Sequence, residues 1–413
     1  MAMRSDSDQT TESGREYARK LTASDIDRRT VLRSGAGVAL GGLFAGCSGD
    51  GSSGDTPTET DETGGGGGET TDESTDEPTT TTSGGDTGEA TNIAIISSPA
   101  GFGDQAFNDL AWQGLQAAAE EYNIELQQVE ETNQANYGTV QSRLAESSNP
   151  DYDLIVMVGY QHTQALEENA QQYSDQRWML INDHIDQDNV AGYIWANHEM
   201  SFQAGVLAGT MTTRELSHEG NSLNPDNATV GFVGGVDGAL INAFERAYVA
   251  GAEWVNEDVN VRVGYIGNYN DTQTAANIAS SQYDAGADIV YHAAAAAGRG
   301  VFQAAQEANR FAIGVDADQS VTLTDYQDVI MGSAVKRINE GTRMVASAIA
   351  QDNWSEVNGR NVLGLEEDAV AMVLGDTVGD QLPDVVQENL DEAKQGIVDG
   401  DISVPCSASG CNN

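Results

Sequence analysis

Lysine is nearly missing from this 413-residue chain: Lys20, Lys336 and Lys394 are the only three among 19 basic and 65 acidic residues. The shortage of positive charge is uneven along the chain. Before Cys47 stand 6 acids and 7 bases, from Ser48 to Ala90 12 acids and no base, and beyond Ala90 47 acids and 12 bases. A C-terminal part with 35 net negative charges repels phosphate backbones and anionic headgroups, which excludes nucleic acid as a partner and electrostatic docking on membranes. Neutral and cationic ligands stay open. The same balance suits a protein built for concentrated salt, where the Debye length falls to about 3 Å at 1 M and self-repulsion is muted. Cysteine is equally scarce at three, which excludes a disulfide-stapled scaffold. With 39% hydrophobic residues the chain can bury a core, while 46 Gly and a mean hydropathy of −0.40 place much of its polarity in a segment that is not core.

The first 46 residues read as an address. Arg28-Arg29 precedes a small-residue apolar stretch at 35–45, about 11 residues, too short for the roughly 20 that span a bilayer as a helix. This is the pattern of a twin-arginine export signal, and Leu43-Phe44-Ala45-Gly46-Cys47 resembles a lipobox, which makes Cys47 the lipidation site. Residues 47–90 then form a Thr/Gly/Asp/Glu-rich tract with no aromatic or large aliphatic side chain, the composition of a disordered tether. Cys406 and Cys411 at the far end could close a small disulfide loop.

The rest alternates strand and helix signals. Short apolar runs at 93–96, 154–158, 178–181, 230–233, 261–266, 289–291 and 311–315 are bounded by Gly, Asn or Asp, and most precede helical patterns. Near-continuous apolar strands mean sheets covered on both faces, so the fold class is α/β with two doubly wound lobes of parallel strands. In such sheets a ligand sits outside the carboxyl ends of the strands, which directs attention to the loops that follow them.

Enzyme machinery is missing from those loops. Gly234-Gly235 with Gly238 departs from G-x-G-x-x-G spacing, and Gly298-Arg299-Gly300 lacks the third glycine. His198-Glu199 begins like a zinc-protease motif, but Phe202 stands where the second His belongs. No G-x-S-x-G elbow is present. The chain is therefore expected not to be an enzyme, with no catalytic residue, no metal and no cofactor. The loops do offer parts for holding a small polar ring: Phe107, Tyr269, Asp316 and the rarely used Lys336.

Several strings carry a resemblance. Gly103-Asp104-Gln105-Ala106-Phe107-Asn108, Phe202-Gln203-Ala204-Gly205-Val206-Leu207-Ala208-Gly209, Gly286-Ala287-Asp288, and Ile313-Gly314-Val315-Asp316-Ala317-Asp318-Gln319 with Ser333-Ala334-Val335-Lys336 resemble the basic membrane protein family. Its members are lipoproteins similar to the purine nucleoside receptor, the substrate-binding subunits of ABC importers. The likeness spans about residues 92–405. It implies a type I periplasmic-binding-protein fold, two lobes joined by three crossings, with a first lobe at 91–195 and 330–351 and a second at 196–329 and 352–413. It also implies a nucleoside, purine by preference, stacked between Phe107 and Tyr269, with Asn108 reaching the base and Asp316 and Lys336 holding the ribose. Ser98 and Asn182 stand where many relatives carry Asp, and belong to the same site. The implied partners are an ABC permease with its ATPase, and a membrane reached through a lipid anchor on the outer face of the cytoplasmic membrane. The same scaffold could serve a sugar or another small metabolite, or a sensory receptor.

Overall fold

The computed structural model describes residues 89–406. The expected export signal, Cys47, nearly all of the expected tether and Cys411 lie outside the described residues. Cys406 is disulfide-bonded.

The first half runs β1 (Thr91–Ile96), α1 (Phe107–Glu121), β2 (Ile124–Val129), α2 (Tyr137–Ala145), β3 (Leu154–Met157), α3 (Thr163–Gln172), β4 (Trp178–Ile181) and β5 (Val190–Trp195). α4 (Asn197–Met211) and the short strands β6 (Ser217–His218) and β7 (Asn221–Ser222) lead into the second half. There β8 (Thr229–Gly234), α5 (Ala239–Val255), β9 (Asn260–Tyr265), α6 (Thr272–Asp284), β10 (Ile289–Ala293), α7 (Arg299–Ala308), β11 (Phe311–Asp316), the one-turn α8 (Gln319–Thr322) and β12 (Ile330–Lys336) repeat the alternation. α9 (Ile338–Ala350), β13 (Gly359–Leu363), β14 (Val370–Leu374) and α10 (Val385–Val398) follow.

Two six-stranded sheets result, β13-β5-β4-β3-β1-β2 and β14-β12-β11-β10-β8-β9. All pairs are parallel except β12 with β14. The two sheets have matching strand orders, so β4 and β11 occupy equivalent places. β3, β4, β5, β8, β10 and β11 are buried along their whole length, because helices cover both faces.

The sheet pairing corrects the expected lobe boundaries. β12 hydrogen-bonds to β11 and β14, so 330–336 belongs to the second lobe, and β13 joins β5, so 359–363 belongs to the first. α9 does pack on α1 in the first lobe, and α10 on α4 in the second. By its local pattern an apolar strand fits either sheet equally well, and only its pairing decides. The three crossings lie at 195–197, 336–338 and 363–370 and are tied together. Ala196 N–H donates to Leu363 O (2.8 Å), Arg337 N–H to Ala369 O (2.9 Å) and Leu365 N–H to Glu199 Oε2 (2.7 Å).

The 202–209 string serves packing rather than a ligand. A Cβ at Gly205 would lie 2.1 Å from Tyr248 O, so glycine lets α4 and α5 touch backbone to backbone. Asp288, wholly buried at the start of β10, accepts from Thr212 Oγ1 (2.9 Å) and Asn224 N–H (3.1 Å) and so fastens the end of α4 to the second sheet. Burial pushes its carboxyl up to about 7. A folded pKa above the unfolded value means the folded state holds the proton more tightly. This group's contribution is then fully present below about pH 4 and is lost as pH rises through about 7. Denaturant titrations from pH 4 to 8 should show that decline in the wild type, and Asp288→Asn should flatten it. An unchanged slope in the variant would show that the carboxyl is ionised throughout.

Candidate functional site

The carboxyl ends of the two sheets face one another across a cleft. Ser98, Phe107, Gly159, Tyr160, Gln161 and Asn182 line it from the first lobe. Leu240, Ile241, Phe244, Tyr269, Ala293, Ala294, Ala295, Val315, Asp316 and Lys336 line it from the second.

Phe107 is the first residue of α1, and two acids fix the loop before it. Asp104 accepts from Ala106 N–H (3.0 Å) and Asn108 N–H (3.0 Å), and Asp109 from Gly103 N–H (2.8 Å) and Gln105 N–H (2.9 Å). Burial raises the Asp104 carboxyl above the usual range despite those donors. Asn108 corrects an expectation, because it does not reach the cleft. It is wholly buried behind Ser98: its Oδ1 accepts from Ser98 N–H (2.8 Å), and its Nδ2 donates to Ser98 Oγ (2.9 Å) and Asp104 Oδ2 (2.8 Å). As the second residue of a helix packed on the sheet, it turns its side chain back toward Ser98 beyond β1 and leaves the cleft to Phe107.

Tyr269 comes from the loop after β9, in the opposite lobe, and lies against the backbone at Gly235. A Cβ on Gly235 would stand 2.3 Å from its ring Cε1 and 2.5 Å from Cδ1. The Gly234-Gly235 pair is therefore a seat for an aromatic ring rather than a phosphate cradle. Burial keeps the Tyr269 hydroxyl protonated, and it lies 3.5 Å from the Tyr160 hydroxyl across the cleft.

Asp316 ends β11 with φ at 68°, and Asn182 follows β4 with φ also at 68°. Equivalent strands thus end in the left-handed conformation that short polar side chains tolerate best, an amide in one lobe and a carboxylate in the other. Asp316 Oδ1 lies 2.7 Å from Lys336 Nζ, with both side chains under a tenth exposed. This is a charge contact without hydrogen-bond alignment, so that oxygen keeps no aligned donor of its own. The ammonium also lies 5.1 Å from the Phe107 ring centroid and 5.4 Å from that of Phe244. Phe107 belongs to the first lobe and the other two groups to the second, so one charge touches both sides.

Behind this pair, Gln319 Oε1 accepts from Val315 N–H (2.8 Å) and lies 2.9 Å from His292 Nε2. Burial pushes His292 down to about 4, so the ring is neutral, and the Gln319 acceptor assigns its proton to Nε2. Asp318 caps α8, accepting from Ser320 N–H and Oγ, and takes no part in the cleft.

Second-lobe side chains latch onto the loop ahead of Phe107. Asn270 Nδ2 donates to Pro99 O (2.9 Å), Arg299 Nη2 to Gly103 O (2.9 Å) and Thr322 Oγ1 to Gln105 O (3.2 Å). The lobes are closed on one another. Among the described residues no helix is long and apolar enough to cross a membrane, and no three His, Cys, Asp or Glu side chains gather as metal ligands.

Residues 90–408 match the family model of PnrA-like ABC transporter substrate-binding proteins. The chain belongs to this family. It is 32% identical over 333 residues to the CD4+ T-cell-stimulating antigen of Listeria innocua, a match covering 76% of this chain and 87% of the relative. It is 28% identical over 333 residues to the ABC transporter nucleoside-binding protein BmpA of Lactococcus lactis, covering 76% and 88%. Among solved structures, an ABC transporter solute-binding protein of Aeropyrum pernix superposes with a TM-score of 0.66 at 24% identity, over 77% of this chain and 94% of that one. That likeness shows the fold, the two-lobed type I architecture of solute-binding proteins.

Six of the seven residues singled out in the sequence for a ligand, Ser98, Phe107, Asn182, Tyr269, Asp316 and Lys336, line this one cleft. Tyr160, Gln161, Leu240, Ile241 and Phe244 were not among them. Tyr160 and Gln161 follow the β3 strand, where the carboxyl-end rule points. The α5 residues look like any apolar helix face.

Proposed function

We propose that this chain captures a nucleoside, purine by preference, between its two lobes and hands it to an ABC permease and ATPase for import. The observation that carries this reading is the buried Asp316–Lys336 pair, set beside aromatic rings from opposite lobes. A carboxylate beside an ammonium offers an acceptor and donors to a vicinal diol such as that of ribose, and each base face on an aromatic ring contributes about 1–3 kcal/mol. Among the described residues Asp316 and Lys336 are the only charged ones lining the cleft, which suits a neutral ligand better than a nucleotide. Phe107 and Tyr269 are assigned to the base, and Asp316 and Lys336 to the sugar. The nucleoside-binding name of the Lactococcus lactis relative supports the same substrate class. Because both lobes contribute contacts, ligand favours the closed form, and the permease reads that form.

Export on a twin-arginine signal, a lipid on Cys47 and a tether through residue 90 would hold the receptor at the outer face of the cytoplasmic membrane. Cys47→Ser should then release the protein from the membrane fraction.

The binding test is a thermal shift of the full chain in molar salt against purine and pyrimidine nucleosides, free bases and pentoses. A ligand at a hundred times its dissociation constant adds about 2.7 kcal/mol. Stabilisation by nucleosides, recovered uncleaved, is the expected result. Stabilisation by pentoses alone, or by nothing on the panel, overturns the assignment.

A further inference from the structure

Gly298-Arg299-Gly300 is no phosphate cradle, and its glycines explain where the arginine stands. A Cβ at Gly298 would lie 2.0 Å from His292 Cε1, and one at Gly300 2.0 Å from Thr272 O. Glycine on either side therefore lets the first turn of α7 press on β10 and on the start of α6, which seats Arg299 firmly in the second lobe. From that seat its guanidinium crosses to the first lobe, where Nη2 donates to Gly103 O (2.9 Å). Only 12 bases follow Ala90, against 47 acids, yet Arg299 makes no ion pair among the described residues. A scarce cation is aimed at a neutral carbonyl across the cleft.

The loop it meets is built to receive it. First-lobe carboxylates hold the loop's own donors: Phe102 N–H donates to Glu130 Oε2 (3.2 Å), Gly103 and Gln105 N–H to Asp109, and Ala106 N–H to Asp104. Gly101 and Gly103, with φ at 75° and 81°, let the chain bend back onto those acids. The carbonyls of Pro99, Gly103 and Gln105 are left to accept from Asn270, Arg299 and Thr322 of the second lobe. The same three acids give the loop a negative field, which favours a cation over a neutral donor.

None of these six latch residues is among those that line the cleft. Their contacts exist only with the lobes together and touch no ligand, so they favour the closed form by the same amount whatever solute lies inside. A contact completed at the end of closing slows opening without speeding capture.

We propose that Arg299 is a positioning residue: latched to Gly103 O, it holds the loop ahead of Phe107 against the second lobe and sets how long the receptor stays closed. The proposal goes beyond the nucleoside reading and needs only a solute held between the lobes.

The test is stopped-flow fluorescence of the full chain with inosine, in the wild type and in Arg299→Met, Arg299→Lys and Thr322→Val. Arg299→Met keeps the stem and removes the donors. It should raise the dissociation rate about tenfold, the scale of a hydrogen bond from a charged donor, with the association rate within about threefold and the ligand-free melting temperature unchanged. Arg299→Lys should recover part of the loss, and Thr322→Val, which removes a neutral bond, should raise dissociation about threefold. The effect of Arg299→Met should persist in molar salt, where a Debye length of about 3 Å screens the field but leaves the bond.

An unchanged dissociation rate in Arg299→Met, or an association rate that falls as far as dissociation rises, overturns the proposal. Should that variant fail to fold, Thr322→Val decides in the same way. If inosine does not bind the wild type, the nucleoside reading fails and the latch is decided on the ligand-free chain, with spin labels on one exposed position in each lobe. The short, closed distance should then be less populated in Arg299→Met, and identical distance distributions overturn the latch.

Discussion

Asp316→Asn should lower nucleoside affinity by roughly a hundredfold and cost about 3 kcal/mol of stability, because it strands an ammonium in the interior. Lys336 is 3% exposed, and the carboxylate 2.7 Å away is its only anionic contact among the described residues. Breaking a buried pair from one side costs about 3–5 kcal/mol. The low end applies because the Phe107 and Phe244 rings retain part of the cation's stabilisation. Asparagine keeps the left-handed backbone, so strain does not confuse the result. The double variant Asp316→Asn, Lys336→Met should regain most of the stability and none of the binding. Denaturant titration and calorimetry on the same samples separate the two effects. Full binding by the single variant would mean that the sugar is held elsewhere.

The second large effect should come from one methyl group. Gly235→Ala places a Cβ 2.3 Å from the Tyr269 ring, a distance that real contacts do not tolerate. The ring must move, and the open direction is into the cleft, where it would occupy the space of a base. Affinity should fall about ten- to a hundredfold, corresponding to the loss of one stacking face at about 1–3 kcal/mol. Stability should fall by only about 1 kcal/mol, since the half-buried ring packs against the core from its rim and not from within it. Binding within threefold of wild type would show that Tyr269 is not a stacking platform.

Most strands legible in the sequence are buried on both faces, β3, β4, β8, β10 and β11 among them, since an unbroken apolar run leaves few other places to sit; β1 and the edge strand β9 were legible too, while β5, buried throughout, was not. β2, Ile-Glu-Leu-Gln-Gln-Val, did not stand out because it is an edge strand with one face in water. β12 was visible as a motif, and its lobe was not, because strand pairing is a long-range choice that local pattern leaves open. The site followed the same logic. Phe107, Tyr269, Asp316 and Lys336 stand in loops or at strand ends that the carboxyl-end rule points to. Asn108 sits beside Phe107 in sequence yet faces the other way, a difference of one helical step that a string of letters does not display. Gly235 was visible as a glycine pair, but its purpose depends on a ring 34 positions later.

The sheet pairing bears on when this protein can fold during its synthesis. Neither lobe is finished by a continuous stretch: the first waits for α9 and β13, the second for β14 and α10. A ribosome that has made residues 1–350 has produced two sheets, each with an open edge strand, β5 in one and β12 in the other. Those edges are capped by segments that emerge within about 15 residues of each other, at 359–363 and 370–374. The two lobes should therefore reach maturity almost together and late. A chain truncated after α9 should be recognised by the cell as unfinished in both halves, rather than as one sound lobe with a damaged companion.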